Sequence, residues 1–181
     1  MIVHINSYPG VGKLTIGRAL ADLIGGKLLD NHSVFNVAFA LTEFRSPAFY
    51  DTVRAVREIA YRRILELPRA VPVVLTNWYS QGSAWGEENW ARAITLAKER
   101  ECALNVVILS CLPDENARRI QSPGRAAKRK PQDPEMVGDN RKRRPLLDRG
   151  GDRLLRLDVT DLSAAEAAKT IADWLSAPAS T

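Results

Sequence analysis

The sequence predicts an α/β fold, a doubly wound sheet of five strands with helices between them. Three observations carry this reading. Short β-like runs alternate with longer amphipathic stretches along the chain. Leu104 to Ser110 is an apolar run of the kind found in a parallel strand covered on both faces. A glycine-bearing turn, Ser7 to Gly12, separates the first such run from a strongly amphipathic stretch.

Taken in order, Ile2 to Asn6 reads as a first, buried strand. From Lys13 onward, Ile16, Ala19, Leu20, Leu23 and Ile24 recur at helical spacing and mark one apolar face. Gly25-Gly26 ends that helix, because glycine accepts the left-handed cap geometry. Lys27 to Asp30 is a short second strand, and Ser33 to Glu43 reads as helical. Ser46-Pro47 opens a longer helix with Val53, Val56, Ala60, Ile64 and Leu67 on one side. Val71 to Thr76 is a third strand, and Glu87 to Arg100 a helix with Trp90, Ala93, Ile94 and Ala97 inward. Leu104 to Ser110 is the fourth strand, Asp114 to Gln121 a short helix, and Leu154 to Val159 the fifth strand. Ser163 and Glu166 have the spacing of a capping box at the start of the last helix.

Length and composition fit one domain. The chain has 181 residues, 45% of them hydrophobic and 26% charged, which excludes a disordered chain. The expected domain is 1–176, with a frayed tail at 177–181. Two cysteines, Cys102 and Cys111, exclude a disulfide scaffold and read as reduced core thiols. No apolar run reaches the ~20 residues that span a bilayer, and the N-terminus lacks the basic region of a signal peptide. The expected location is the cytoplasm, as a monomer or homodimer with no membrane partner.

The net charge of +5 is unevenly placed. Between Arg125 and Arg149, nine basic residues face four acidic ones, which accounts for the whole excess. Such a segment signals a phosphate-rich partner or a solvated surface.

The sharpest motif is Ser7-Tyr-Pro-Gly-Val-Gly-Lys-Leu-Thr15, set between the first strand and the first helix. Phosphate binding needs that context. Glycines turn the backbone N–H groups inward, and the start of the helix adds positive potential. Pro9, Gly10, Val11, Gly12, Lys13 and Leu14 are therefore expected to hold a nucleotide's phosphates, with Lys13 reaching the β- and γ-phosphates and Thr15 placing its hydroxyl on Mg²⁺. Ser7 stands where the usual motif begins with glycine, and Leu14 separates the lysine from the hydroxyl.

In this Gly-x-Gly-Lys-x-Thr form the chain resembles small P-loop kinases of the shikimate kinase, adenylate kinase and chloramphenicol phosphotransferase group. The resemblance covers nearly the whole chain in element order and is motif-specific at residues 6–16, 29–32 and about 118–130. It implies a three-layer P-loop fold with sheet order 2-3-1-4-5, ATP and Mg²⁺ as cofactors, and a basic lid, placed here at about 122–145.

Asp30 follows the second strand, where an open parallel sheet faces its ligand crevice. In shikimate kinase and chloramphenicol phosphotransferase an aspartate at this place contacts the acceptor hydroxyl or the metal. Asp30 is accordingly expected to orient or deprotonate the acceptor and to bind metal, beside a competing role as helix cap. His32 is a candidate substrate contact, and His4 a core residue. The third strand ends in Thr76-Asn77 with no acid, so Asn77 is a candidate for substrate or a metal-bound water. Trp78, Tyr79 and Trp85 read as packing residues for the following helix, with the wall of an acceptor pocket as the alternative. The resemblance further implies that arginines after the fourth strand reach the phosphates. Arg119 and Arg125 lead, followed by Arg118 and Arg129. Leu157 to Asp161 matches the place of adenine contacts. Arg54 and Arg57, with Arg45, are candidates to clamp an anionic acceptor, while the phenylalanines near them allow an apolar one.

The expected activity is an ATP- and Mg²⁺-dependent phosphotransferase acting on a small-molecule hydroxyl or phosphate acceptor. Two rivals stand beside it: a nucleic-acid 5′-hydroxyl kinase of the same fold, and a non-catalytic nucleotide-binding regulator. Nucleic acid is disfavoured because the basic segment lacks interleaved aromatic residues.

Overall fold

A computed structural model describes residues 1–121 and 144–178. The expected lid, with Arg125 and Arg129, therefore lies outside the described residues for all but its last positions. Five parallel strands form one sheet: β1 (Ile2–Ser7), β2 (Lys27–Asp30), β3 (Val73–Asn77), β4 (Leu104–Ser110) and β5 (Arg153–Asp158). Their spatial order is β2-β3-β1-β4-β5, the order the resemblance implied. Six helices are described: α1 (Lys13–Leu23), α2 (Asn31–Leu41), α3 (Pro47–Glu66), α4 (Ala84–Glu99), α5 (Pro113–Ile120) and α6 (Ala164–Ser176). None is long and apolar enough to cross a membrane.

The sheet is sandwiched. On one face Val3, Ile5, Val74, Val107 and Leu109 pack against Leu20 of α1 and Ala168 and Ile171 of α6. On the other, Ile2, Val73, Leu75, Val106 and Ile108 pack against Ile64, Trp90 and Leu96 of α3 and α4. All six residues of β1 are buried, as befits the central strand. A third cluster joins α2 to α3 through Val34, Ala38, Phe49 and Val53.

Element boundaries moved where a cap or a proline decided them. α2 begins at Asn31 rather than Ser33 because the Asp30 side chain accepts from the His32 amide. α4 begins at Ala84 because Ser83 caps it through the Gly86 amide. β3 starts only at Val73, since Pro72 has no N–H to give and its carbonyl takes the Lys27 amide. The capping box of α6 is present in full, with Ser163 and Glu166 each bonding the other's backbone. Past α1, Gly25 takes a φ of +65°, and the Gly26 amide returns to the Ala21 carbonyl.

Buried polar groups tie the site-bearing end of the sheet together. Asn6 donates to the Tyr79 and Leu147 carbonyls and accepts from the Tyr79 amide. This fixes the ends of β1 and β3 against residues 146–147, which form a short antiparallel bridge to Ser80. Neither cysteine forms a disulfide; Cys111 is buried and Cys102 partly so.

Candidate functional site

The carboxyl ends of β1, β2 and β3 open onto a cavity of about 690 Å³. Its floor is the β1–α1 loop, and Pro9, Gly10, Val11, Gly12, Lys13, Leu14 and Thr15 all line it. Two glycines make this loop feasible. Gly10 has a φ of +89°, and a Cβ there would lie 2.4 Å from Asn116 Nδ2. Gly12 has a φ of +115° and caps α1, a conformation L side chains rarely adopt. The Lys13 ammonium lies folded back on its own loop, 3.3 Å from the Ser7 carbonyl and 3.2 Å from that of Tyr8.

Helix α5 braces this loop from outside. Asn116, fully buried, donates to the Pro9 carbonyl at 2.9 Å. Arg119 donates to the Val11 carbonyl at 2.9 Å, to the Val159 and Thr160 carbonyls, and to Glu115. One guanidinium thus clamps the loop to the β5–α6 connection while lining the cavity. Four of its five N–H groups are spent in this way, so its first duty is to hold the loop in shape. Its hydrogen-bond partner Glu115 also takes two bonds from exposed Arg118. These bonds, from Arg118 first and Arg119 second, hold the Glu115 carboxyl at about 2. Arg118 does not line the cavity, contrary to its expected place, because this ion pair turns it along α5 toward solvent.

Asp30 lines the same cavity as Lys13 and Thr15. One carboxylate oxygen accepts from the Thr76 hydroxyl at 2.7 Å, and the other from the His32 amide at 3.1 Å. The helix cap and the cavity-facing acid are therefore one side chain, not alternatives. Thr76, at the end of β3, stands where an acid was missed in the sequence, and it orients the acid of the neighbouring strand. The register explains this, since Asp30 and Thr76 are paired partners of adjacent parallel strands. His32 lines the cavity beside Asp30.

Three candidate substrate contacts sit elsewhere. Asn77 is buried and bonds His4 Nε2 at 3.0 Å. Side chains alternate along a strand, so Thr76 and Asn77 face opposite sides of the sheet. Burial, then the charge of Arg57, lowers the His4 pKa to about 3, so the imidazole is neutral. Arg54 forms a two-pronged bond to Glu88, at 3.0 and 3.1 Å, and pairs with Asp51. Arg57 is buried, donates to Asn89, and lies over the rings of Phe35 and Trp85. None of the three lines the cavity. Trp78, read from sequence as packing, does line it, whereas Tyr79 is core and Trp85 packs on Phe35 and Tyr50.

The remaining wall is mostly apolar, formed by Ile16, Phe35, Phe39, Phe44, Leu162 and Ala164, with Asn31 as its polar member. Leu162 and Ala164 follow the stretch expected near adenine. Asn116 carried no signal in the sequence, because its role depends on the packing of α5 beneath a loop more than a hundred residues away.

No protein-family model matches the chain, and no curated protein matches its sequence. Solved structures do match in fold. The APS kinase of Mycobacterium tuberculosis, solved with AMPPNP and APS, superposes with a TM-score of 0.64 at 15% identity, covering 97% of each chain. The tunicamycin resistance protein of Deinococcus radiodurans gives 0.63 at 18% identity, covering 98% of this chain and 96% of the other. Shikimate kinase from Bacteroides thetaiotaomicron gives 0.62 at 16% identity, covering 98% and 99%. The chain has the fold of small P-loop kinases. At these identities the likeness is one of fold, and it spans nearly the full length of both partners in each pair.

Proposed function

We propose that this protein is an ATP- and Mg²⁺-dependent phosphotransferase acting on a small-molecule acceptor. One observation carries the reading: a single cavity is lined by the glycine loop, Lys13, Thr15 and Asp30. The nucleotide-bound APS kinase of the same fold supports nucleotide use.

In this reading the loop amides and the start of α1 receive the triphosphate. Lys13 leaves the Ser7 and Tyr8 carbonyls to meet the β- and γ-phosphates. A hydroxyl oxygen of the acceptor attacks the γ-phosphorus. The new O–P bond forms as the bond from that phosphorus to the bridging oxygen breaks, leaving ADP. The hydroxyl proton passes to the Asp30 carboxylate, which Thr76 and the His32 amide hold in place.

The donor set suits Mg²⁺. Thr15 offers a hydroxyl, and each Asp30 oxygen keeps a lone pair beyond the bond it accepts. Among the described residues no group of three or more His, Cys, Asp or Glu could hold a metal. Thr15 and Asp30, with phosphate oxygens and waters, would therefore hold the ion, as Mg²⁺ tolerates. When bound it supplies positive charge against the phosphate oxygens.

Calorimetry of the whole chain with MgATP, followed by transfer of labelled γ-phosphate to a metabolite extract, tests the reading. Binding and a labelled product that Lys13→Ala abolishes are expected. Absence of any nucleotide binding would overturn it.

A further inference from the structure

We infer that the acceptor of this site is a neutral alcohol carrying a flat apolar ring, and not an anionic polyol; this rests on the phosphotransferase reading above. Beside the proposed base, where Asn31 and Trp78 also line the cavity, a ladder of rings begins and makes up most of the acceptor half. His32, whose amide bonds Asp30, lies 6.4 Å from Phe39 with the planes tilted by 22°. Phe39 is 6.1 Å from Phe35 and 5.6 Å from Phe44. Phe49, 1% exposed, lies behind all three at 5.3 to 5.8 Å and makes the ladder rigid. A hydroxyl placed at Asp30 would leave the rest of its molecule lying along these rings.

Charge argues the same way. The described cations on the cavity wall, Lys13 and Arg119, both belong to its phosphate half and bond backbone carbonyls there. Arg57 lies behind Phe35, and Arg54 is held by Glu88. Arg45 sits over the outer ring, 5.0 Å from the centre of Phe44, and does not line the cavity. Among the described residues an anionic acceptor would thus meet aromatic faces, whose negative quadrupole repels it. A flat apolar body would instead cover Phe44, which stands 58% exposed on the cavity wall.

The test measures binding of three probes to the whole chain by calorimetry, with and without an unhydrolysable MgATP analogue. The probes are 2-naphthaleneethanol, gluconate and shikimate. The naphthyl alcohol is expected to bind at least tenfold more tightly than either polyol. Phe39→Ser and Phe44→Ser should each weaken it at least fivefold while leaving analogue affinity unchanged. Phe44 is exposed, so its substitution leaves the fold intact even if Phe39→Ser does not. Tighter binding of either polyol, or naphthyl binding indifferent to Phe44→Ser, overturns the inference. Loss of the phosphotransferase reading would show differently, as absence of affinity for the MgATP analogue itself.

Discussion

Gly10→Ala tests the loop at its tightest point. Two costs add. Alanine at a φ of +89° leaves the allowed regions for an L residue, at about 1–2 kcal/mol. Its Cβ would also sit 2.4 Å from Asn116 Nδ2 and 3.3 Å from the Asn116 carbonyl oxygen, so the buried amide must shift. That shift breaks its bond to the Pro9 carbonyl, worth about 1 kcal/mol. The sum, about 2–3 kcal/mol, corresponds to a fall in Tm of about 5–10 °C for a domain of this size. Gly25→Ala is the control. Its φ is +65° and nothing lies within 4 Å, so only the conformational cost applies. Thermal melts and MgATP calorimetry of both variants separate the terms. Gly10→Ala is expected to melt lower than Gly25→Ala and to lose at least tenfold in nucleotide affinity, while Gly25→Ala keeps its affinity. Equal melting losses and unchanged affinity in both would refute the idea that Asn116 and Gly10 shape the binding loop together.

Lys13→Ala is expected to keep the wild-type Tm within about 2 °C, because the half-buried ammonium bonds the Ser7 and Tyr8 carbonyls of its own loop, yet to lose MgATP affinity at least tenfold by calorimetry. Asp30→Asn keeps an acceptor for Thr76 or His32 but no base; transfer to the true acceptor should fall at least a hundredfold in a γ-phosphate transfer assay, with affinity for metal-free ATP unchanged. Arg119→Met removes the clamp between Val11 and Thr160, and accelerated amide hydrogen exchange at residues 10–12 is the expected readout. The buried His4 gives a pH signature. Its folded pKa, about 3, lies below the unfolded value of 6.5, so the unfolded chain takes the proton first. The stability is fully present above pH 6.5 and drains away as pH falls toward 3, by about 1 kcal/mol between 6.5 and 5.5. Urea melts at those two values should show the drop in the wild type and its absence in His4→Gln.

Much of the fold was legible because its causes are local. The apolar spacing of α1, the Ser46-Pro47 and Ser163–Glu166 starts, and the glycines after Leu23 each act within a few residues, and the structure shows them as read. Glycine and lysine in the β1–α1 loop were visible for the same reason. Where the reading strayed, a distant partner decided. Arg54 and Arg57 looked like free cations on a helix until Glu88 and Asn89 of α4 claimed them. Arg118 and Arg119 are neighbours of one type, yet the first points along α5 and the second into the cavity, because only Arg119 faces the Val11 carbonyl.

By itself, then, the sequence determined the alternation of strands and helices, the phosphate-type loop and the acid after β2, since hydrophobic period, caps and glycine conformation are properties of short stretches of chain. The tertiary structure alone decided that Thr76 orients Asp30, that Asn116 and Arg119 brace the loop, and that Phe35, Phe39 and Phe44 line the cavity that Asp30 also lines. Those facts depend on strand register and on helices packed across the sheet, and residues far apart in the chain meet only when the sheet has closed.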